Sequence, residues 1–352
     1  MIKRLIQKRE RYLAMLNDNR VVRPFEWGAE FVEGSMNGSD PLEFFKKHSR
    51  AFLDSSDDRF ALAADPVFDE SEPDPQQIDG TSYVSWASAL TTSSEVNNIA
   101  HARLFHIDDD KRAAAVVLPH WNAREGSYIN LCSNLKRFGV SALRLTLPYH
   151  EERMPEELDR ADHLVSPNVG RTLQSVRQSV LDTKAAVKWL YSKGYENVGV
   201  VGTSIGSCVA FLAFVHDETI KSAVFNHVSG TFADVVWRGL STYHVREGLE
   251  QDISIEDLRE VWMPISPLAY IDKLASLEPR PQRYIYTLYD LSFPIDLSRN
   301  TMKALNKAGI EHDETVIPCG HYTLGEKPWI YLDGYKIISF LRRTLRSATI
   351  DP

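Results

Sequence analysis

The segment Gly202-Thr203-Ser204-Ile205-Gly206 directly follows the apolar run Val198–Val201 and opens a second apolar stretch at Ile205. Glycines two residues to either side of a serine let a strand turn sharply into a helix. The turn pushes the hydroxyl out at the C-terminal edge of the strand. The start of the helix beneath it offers free N–H groups and a positive partial charge, so the Ile205 N–H is aimed at a developing oxyanion. The chemistry such a turn suits is nucleophilic attack by an oxygen.

A serine hydroxyl is a weak nucleophile near neutral pH and needs a base. Among eleven histidines, His321 stands out in Pro318-Cys319-Gly320-His321-Tyr322, a glycine-bounded loop after the last apolar strand. Asp290 ends the run Tyr284–Tyr289, where a carboxylate can hold the tautomer of the base and stabilise its imidazolium. The chain order is Ser204, Asp290, His321. Asp296, which also suits a helix cap, and Asp234, in an earlier loop, are alternative acids. The bland alternatives are an inert serine in a glycine-rich turn and a histidine exposed in a surface loop.

A second oxyanion donor is expected from the loop Pro119–Gly126, as the backbone N–H of Trp121 or Asn122. His120 shapes that loop and borders the substrate. Tyr149, Trp121 and Trp237 are placed to line an apolar pocket, or simply to pack. Arg171 is a candidate for binding a substrate carboxylate or phosphate, against pairing with an acidic neighbour. Cys208 reads as a small core residue and Cys319 as a structural thiol.

Strands alternating with helices must position these side chains. Apolar runs mark strands at 113–118, 141–147, 197–201, 220–225, 284–288 and 315–317. Helical spacing marks 128–138, 172–193, 205–216, 297–307 and 329–346, the first two stopped by Gly139 and Gly194. Two further extended segments, 83–90 and 99–107, come earlier. This alternation implies an α/β fold with a parallel sheet covered on both faces. Loops at the C-terminal edge of such a sheet gather at one site. The rhythm breaks at 230–266, which reads as an inserted cap. Residues 1–80 read as a helical N-terminal extension with aromatic anchors such as Phe25, Trp27, Phe45 and Phe52, ending in an acidic, proline-bearing linker at 65–77. Residues 81–352 form the catalytic domain in this reading.

The 352 residues are 43% hydrophobic and 25% charged, ordinary for a globular chain. With 48 acidic and 40 basic residues the net charge is -8, which argues against nucleic acid as a partner. Three cysteines without CxxC spacing argue against a disulfide framework and a zinc site, and fit a reducing, cytoplasmic compartment. No run approaches the roughly 20 apolar residues of a membrane span. The basic start, residues 1–11, lacks the apolar core of a secretory signal and reads as an amphipathic helix.

Residues 112–346 resemble the α/β-hydrolase superfamily, in its esterase/lipase and serine-peptidase branch. The resemblance rests on Pro119-His120-Trp121, Leu147-Pro148-Tyr149-His150, Gly202–Gly206, Asp290 with Pro294, and Gly320-His321. The Pro148-Tyr149 segment is also similar to the α/β-hydrolase domain-containing 18 family. Trp121 stands where a glycine commonly follows the histidine. The resemblance implies a mostly parallel eight-stranded sheet whose second strand is antiparallel, which suits 99–107. It implies hydrolysis of a small-molecule ester through an acyl-serine, with no cofactor and no metal. Small-peptide cleavage and a non-catalytic binding role on the same fold are the competing readings. A homodimer is left open.

Overall fold

The computed structural model describes residues 2–16, 18–71 and 81–347. Among these residues nine strands form one sheet: β1 (Phe68–Ser71), β2 (Ser82–Ala87), β3 (Ile99–Phe105), β4 (Ala113–Leu118), β5 (Ser141–Leu145), β6 (Asn197–Thr203), β7 (Ser222–Asn226), β8 (Gln282–Thr287) and β9 (Asp313–Ile317). Their spatial order is β1-β2-β3-β5-β4-β6-β7-β8-β9. The pairs from β1 to β5 are antiparallel, and every pair from β5 through β4 to β9 is parallel.

Nine strands replace the eight implied by the resemblance. The additional one is β1, inside the stretch read as a linker. Phe68 sets it in place by packing edge-on against Trp86 of β2, with ring centroids 5.4 Å apart, and Glu70 accepts from the Trp189 indole at 3.2 Å. The prolines Pro73 and Pro75 of that stretch lie outside the described residues. The antiparallel strand 99–107 is found at Ile99–Phe105.

The central strands are buried on both faces, which is why they read as unbroken apolar runs. In β4 the side-chain alternation sends Ala114, Val116 and Leu118 to one core and Ala113, Ala115 and Val117 to the other. The first core lies under the helices Val169–Ser192 and Ile205–Val215. The second lies under Ile129–Arg137 and Trp329–Arg346. The chain leaves β4 toward one face and β6 toward the other. A crevice therefore opens at the C-terminal ends of these two neighbours.

The N-terminal aromatics belong to the first core rather than to a separate one. Phe45, Phe52 and Phe60 are buried in it, and Trp27 stacks on Phe45 at 5.4 Å. Helix Pro41–Asp54 meets the segment 230–266 through the Ser49 hydroxyl, which donates to Glu260 O at 2.6 Å, and through Lys46 beside Asp257 at 2.7 Å. Within that segment, short helices at Phe232–Arg238, Tyr243–Leu249 and Ile255–Val261 replace the strand–helix rhythm. No helix among the described residues is long and apolar enough to cross a membrane.

Because Phe45 has no exposed surface, Phe45→Ala should cost about 3–5 kcal/mol of folding stability through lost burial and a residual cavity. Urea unfolding of the full chain measures this. A loss below about 1 kcal/mol would mean that the N-terminal region is not part of the cooperative core.

Candidate active site

Ser204 sits between β6 and the helix Ile205–Val215 with φ 59° and ψ −121°, a conformation that L-residues adopt only under constraint. The constraint is visible. Its N–H donates to Asn226 O at 2.8 Å, and its carbonyl accepts from Ser207 N at 2.9 Å and from the Ser207 hydroxyl at 2.7 Å. A Cβ on Gly202 would lie 1.9 Å from Gly206 O, and one on Gly206 would lie 2.4 Å from Leu118 O. Strand and helix approach each other so closely that no side chain fits at either glycine.

Asp290 follows β8 and is buried. Its Oδ1 accepts from the backbone N–H groups of Ser292 (2.8 Å) and Phe293 (2.7 Å). Its Oδ2 faces the Thr287 hydroxyl at 3.1 Å, His321 Nδ1 at 3.2 Å and His227 Nδ1 at 3.0 Å. Burial alone would raise its pKa. The charge on His321 and the bonds from both histidines win, holding the carboxyl well below the usual range. His321 shows the converse: burial lowers its pKa, but Asp290 outweighs burial and raises it, with Glu10 adding to the effect. His227 is pushed down to about 4 by burial and by the His321 charge, in spite of Asp290. Of two imidazoles on one oxygen, His321 is thus the basic one.

With Nδ1 on Asp290, the His321 ring stacks on Phe293 (centroids 5.2 Å apart, planes 12° apart). Ser204 and His321 border the same cavity, of about 1010 Å³. Among the described residues no hydrogen bond joins the Ser204 hydroxyl to His321. Such contacts commonly tighten only when substrate is bound. The cavity's walls include Leu16, Asn19 and Arg20 from the N-terminal region and Phe232, Val235 and Val236 from the segment 230–266.

The other expected site residues divide. Trp121 borders the cavity, and its backbone N–H has no acceptor among the described residues. Its indole donates to Ala161 O at 2.8 Å and stacks on His244. Ile205 supplies a first-turn N–H, which has no intrahelical acceptor. Asn122 is corrected as an oxyanion donor, because its N–H already donates to His150 Nε2 at 2.8 Å. His120 borders the cavity and pairs through Nδ1 with the Tyr128 hydroxyl at 2.9 Å. Burial, with His321 and His227 nearby, pushes it down to about 4.

Three residues expected to bind substrate do not border the cavity. Tyr149 is buried away from the cavity, its N–H tied to Asn97 Oδ1 at 2.9 Å and its ring against His163. Arg171 lies over the Phe31 ring, 3.7 Å from Glu26, and does not reach the cavity. Trp237 packs on the first core and is not among the residues that border the cavity. The alternative acids are engaged elsewhere, Asp234 by Arg259 (2.6 Å) and Asp296 by Arg238 (2.7 Å). Cys208 gives its thiol to Ile265 O, and burial pushes it up to about 12.

No family model and no curated protein sequence matches the chain. Solved structures do. Acetyl xylan esterase 1 from Thermoanaerobacterium sp. JW/SL YS485 superposes with a TM-score of 0.59 at 12% identity, covering 87% of this chain and 99% of its own. An acetyl xylan esterase from Paenibacillus sp. R4 gives 0.57 at 12% identity, covering 88% and 97%. An acylaminoacyl peptidase from Pyrococcus horikoshii gives 0.55 at 14% identity, covering 72% of this chain and 41% of its own. The chain has the α/β-hydrolase fold.

On this α/β-hydrolase fold, several polar residues at the cavity were not singled out from sequence. His227 is one, although its place just after β7 at the site's edge of the sheet was a usable signal. With Asp290 and His321 it forms a set of metal-capable donors within 4.8 Å of one another. The donor types would suit an ion, yet the hydrogen bonds are those of a carboxylate shared by two imidazoles. Asp333, from the last helix, also borders the cavity. Burial pushes it up to about 7, although the Asn226 amide donates to both of its oxygens at 3.0 and 3.1 Å.

His120, His150, His163, His216, His227 and His244 are all pushed down to between about 3 and 4, each chiefly by burial. The unfolded chain binds protons at these histidines from about pH 6.5 downward, and the folded chain does not. Stability should therefore fall as pH drops from about 6.5 toward 4, by at least about 3 kcal/mol between pH 7 and 5. His321, raised on folding, works in the opposite sense and offsets a part. Urea midpoints across this range measure the effect, and a flat profile would contradict the neutral burial of these rings.

Proposed function

We propose that this chain is a serine hydrolase that cleaves carboxylic esters through an acyl-serine intermediate. The observation that carries the reading is the strained Ser204 turn and the Asp290–His321 pair opening onto one cavity. Support for an ester over an amide comes from the two acetyl xylan esterases, which align along 97% and 99% of their own lengths. This chain spans 41% of the acylaminoacyl peptidase. In this reading residues 81–352 are the catalytic domain, 230–266 its cap, and 1–80 an extension that closes one side of the cavity.

Ser204 Oγ attacks the ester carbonyl carbon while His321 Nε2 takes its proton. The carbonyl electron pair moves to oxygen, where the N–H groups of Ile205 and Trp121 receive the charge. Asp290 stabilises the imidazolium through Nδ1. The tetrahedral adduct collapses, the C–O bond to the alcohol breaks, and His321 returns the proton to the leaving oxygen. A water then gives a proton to His321 as it attacks the acyl carbon. Collapse releases the carboxylic acid and restores the Ser204 hydroxyl.

Ser204→Ala should lower kcat on a short-chain p-nitrophenyl ester by about 10³-fold or more with the fold intact. Equal activity in the folded variant would sink the assignment. Cleavage of aminoacyl amides in place of esters would favour a peptidase. Because the reaction needs neutral His321, whose pKa is raised, kcat/KM should fall with acid along a limb whose midpoint lies above about 6.5. A limb near 4 would point to His227 as the base instead.

A further inference from the structure

The N-terminal helix Ile2–Ala14 carries a charged side chain that is fully buried, Glu10. One of its carboxylate oxygens accepts from Tyr322 N at 3.0 Å and the other from Thr323 N at 2.7 Å. These two amides directly follow His321. Directly before it, Gly320 has no room for a side chain, since a Cβ there would lie 2.4 Å from Glu10 Cδ. The carboxylate thus sits under the backbone turn that presents the imidazole. No salt bridge reaches Glu10 among the described residues. A buried carboxylate is costly unless its oxygens are well bonded, and packing alone would be served by an apolar residue. Two further contacts flank this one. Arg9 pairs with Glu326 at 2.6 Å, and Arg20 donates to the Tyr322 hydroxyl at 3.1 Å.

We propose that Glu10 is a positioning residue for the hydrolytic reaction: it locks the 320–323 turn so that His321 keeps Nδ1 on Asp290 and Nε2 toward the cavity. A carboxylate beside this loop also favours the protonated imidazole. The proposal rests on the reading of His321 as the base. The other titratable groups around His321 are Asp290 after β8, His227 after β7, His120 after β4, Tyr322 and Cys319 on its own loop, Arg20 behind Tyr322, and Asp333 farther along the cavity. Asp290 already shares an oxygen between two imidazoles. Asp290 and the stacked Phe293 restrain the ring itself, and the Glu10 contact adds a restraint on the backbone that carries it.

The test compares the full chain with Glu10→Gln, Glu10→Ala and, as a control on the exposed clamp, Arg9→Ala. The His321 titration is followed by NMR of histidine-labelled protein, with the signal assigned through His321→Gln. In Glu10→Gln the midpoint should move to lower pH, equivalent to a two- to tenfold weaker protonation. In Glu10→Ala kcat on the p-nitrophenyl ester should fall about ten- to a hundredfold with KM within about twofold, as for a misplaced catalytic group. Arg9→Ala should change neither. Should Glu10→Ala not fold, the isosteric Glu10→Gln carries both readouts. An unmoved His321 midpoint and unchanged kcat in folded Glu10→Gln would overturn the proposal. The titration needs no turnover, so an unaltered chain that hydrolyses no ester would sink the proposed function while leaving Glu10 to be decided on its own.

Discussion

The buried carboxylate of Asp290 is the interaction on which the site depends. It lies on the loop after β8 and binds the loops after β7 and β9 through His227 and His321, while two backbone amides of its own loop and the Thr287 hydroxyl at the end of β8 satisfy it. A carboxylate with fewer donors would be expensive so far from water. With them it stays ionised, fixes the tautomer of His321 and raises the basicity of that ring. Sharing between two imidazoles goes with opposite shifts, His321 raised and His227 lowered, so His321 is the base in the proposed reaction.

The scaffold meets this site from the other side with backbone sterics. The apolar strands β4 and β6 bring Leu118 and Gly206 into a contact that admits only glycine, and that contact holds Ser204 in its constrained turn. Strain of about 1–3 kcal/mol persists only where the surroundings over-determine it. Here they do, through a helix packed in the first core and a bond from the Ser204 amide to β7. The N-terminal region joins the same core through Phe45 and Phe52 and reaches the His321 loop through Glu10.

Much of this was legible in the sequence because it follows from local physics. Buried strands read as apolar runs, and a serine between glycines at a strand end has few structural meanings. Asp290 and His321 stand where strands must end on one edge. What stayed hidden depends on contacts distant in sequence. Asn122 lost its role to His150, whose ring takes the N–H. Tyr149, Arg171 and Trp237 sit near the right segments, but tertiary packing turned each one away from the cavity. Strand β1 was obscured by the acidic residues and prolines around it, and Phe68 alone did not announce a pairing with β2. The contact of Glu10 with Thr323 spans 313 positions, and no spacing rule reaches that far.

The most direct test of the account is the site and rate of covalent labelling by a fluorophosphonate, mapped by mass spectrometry of the digested chain. The account predicts a single adduct on Ser204, formed at least about 100-fold more slowly in folded His321→Gln. An adduct on another residue, or labelling of Ser204 at an unchanged rate without His321, would contradict it.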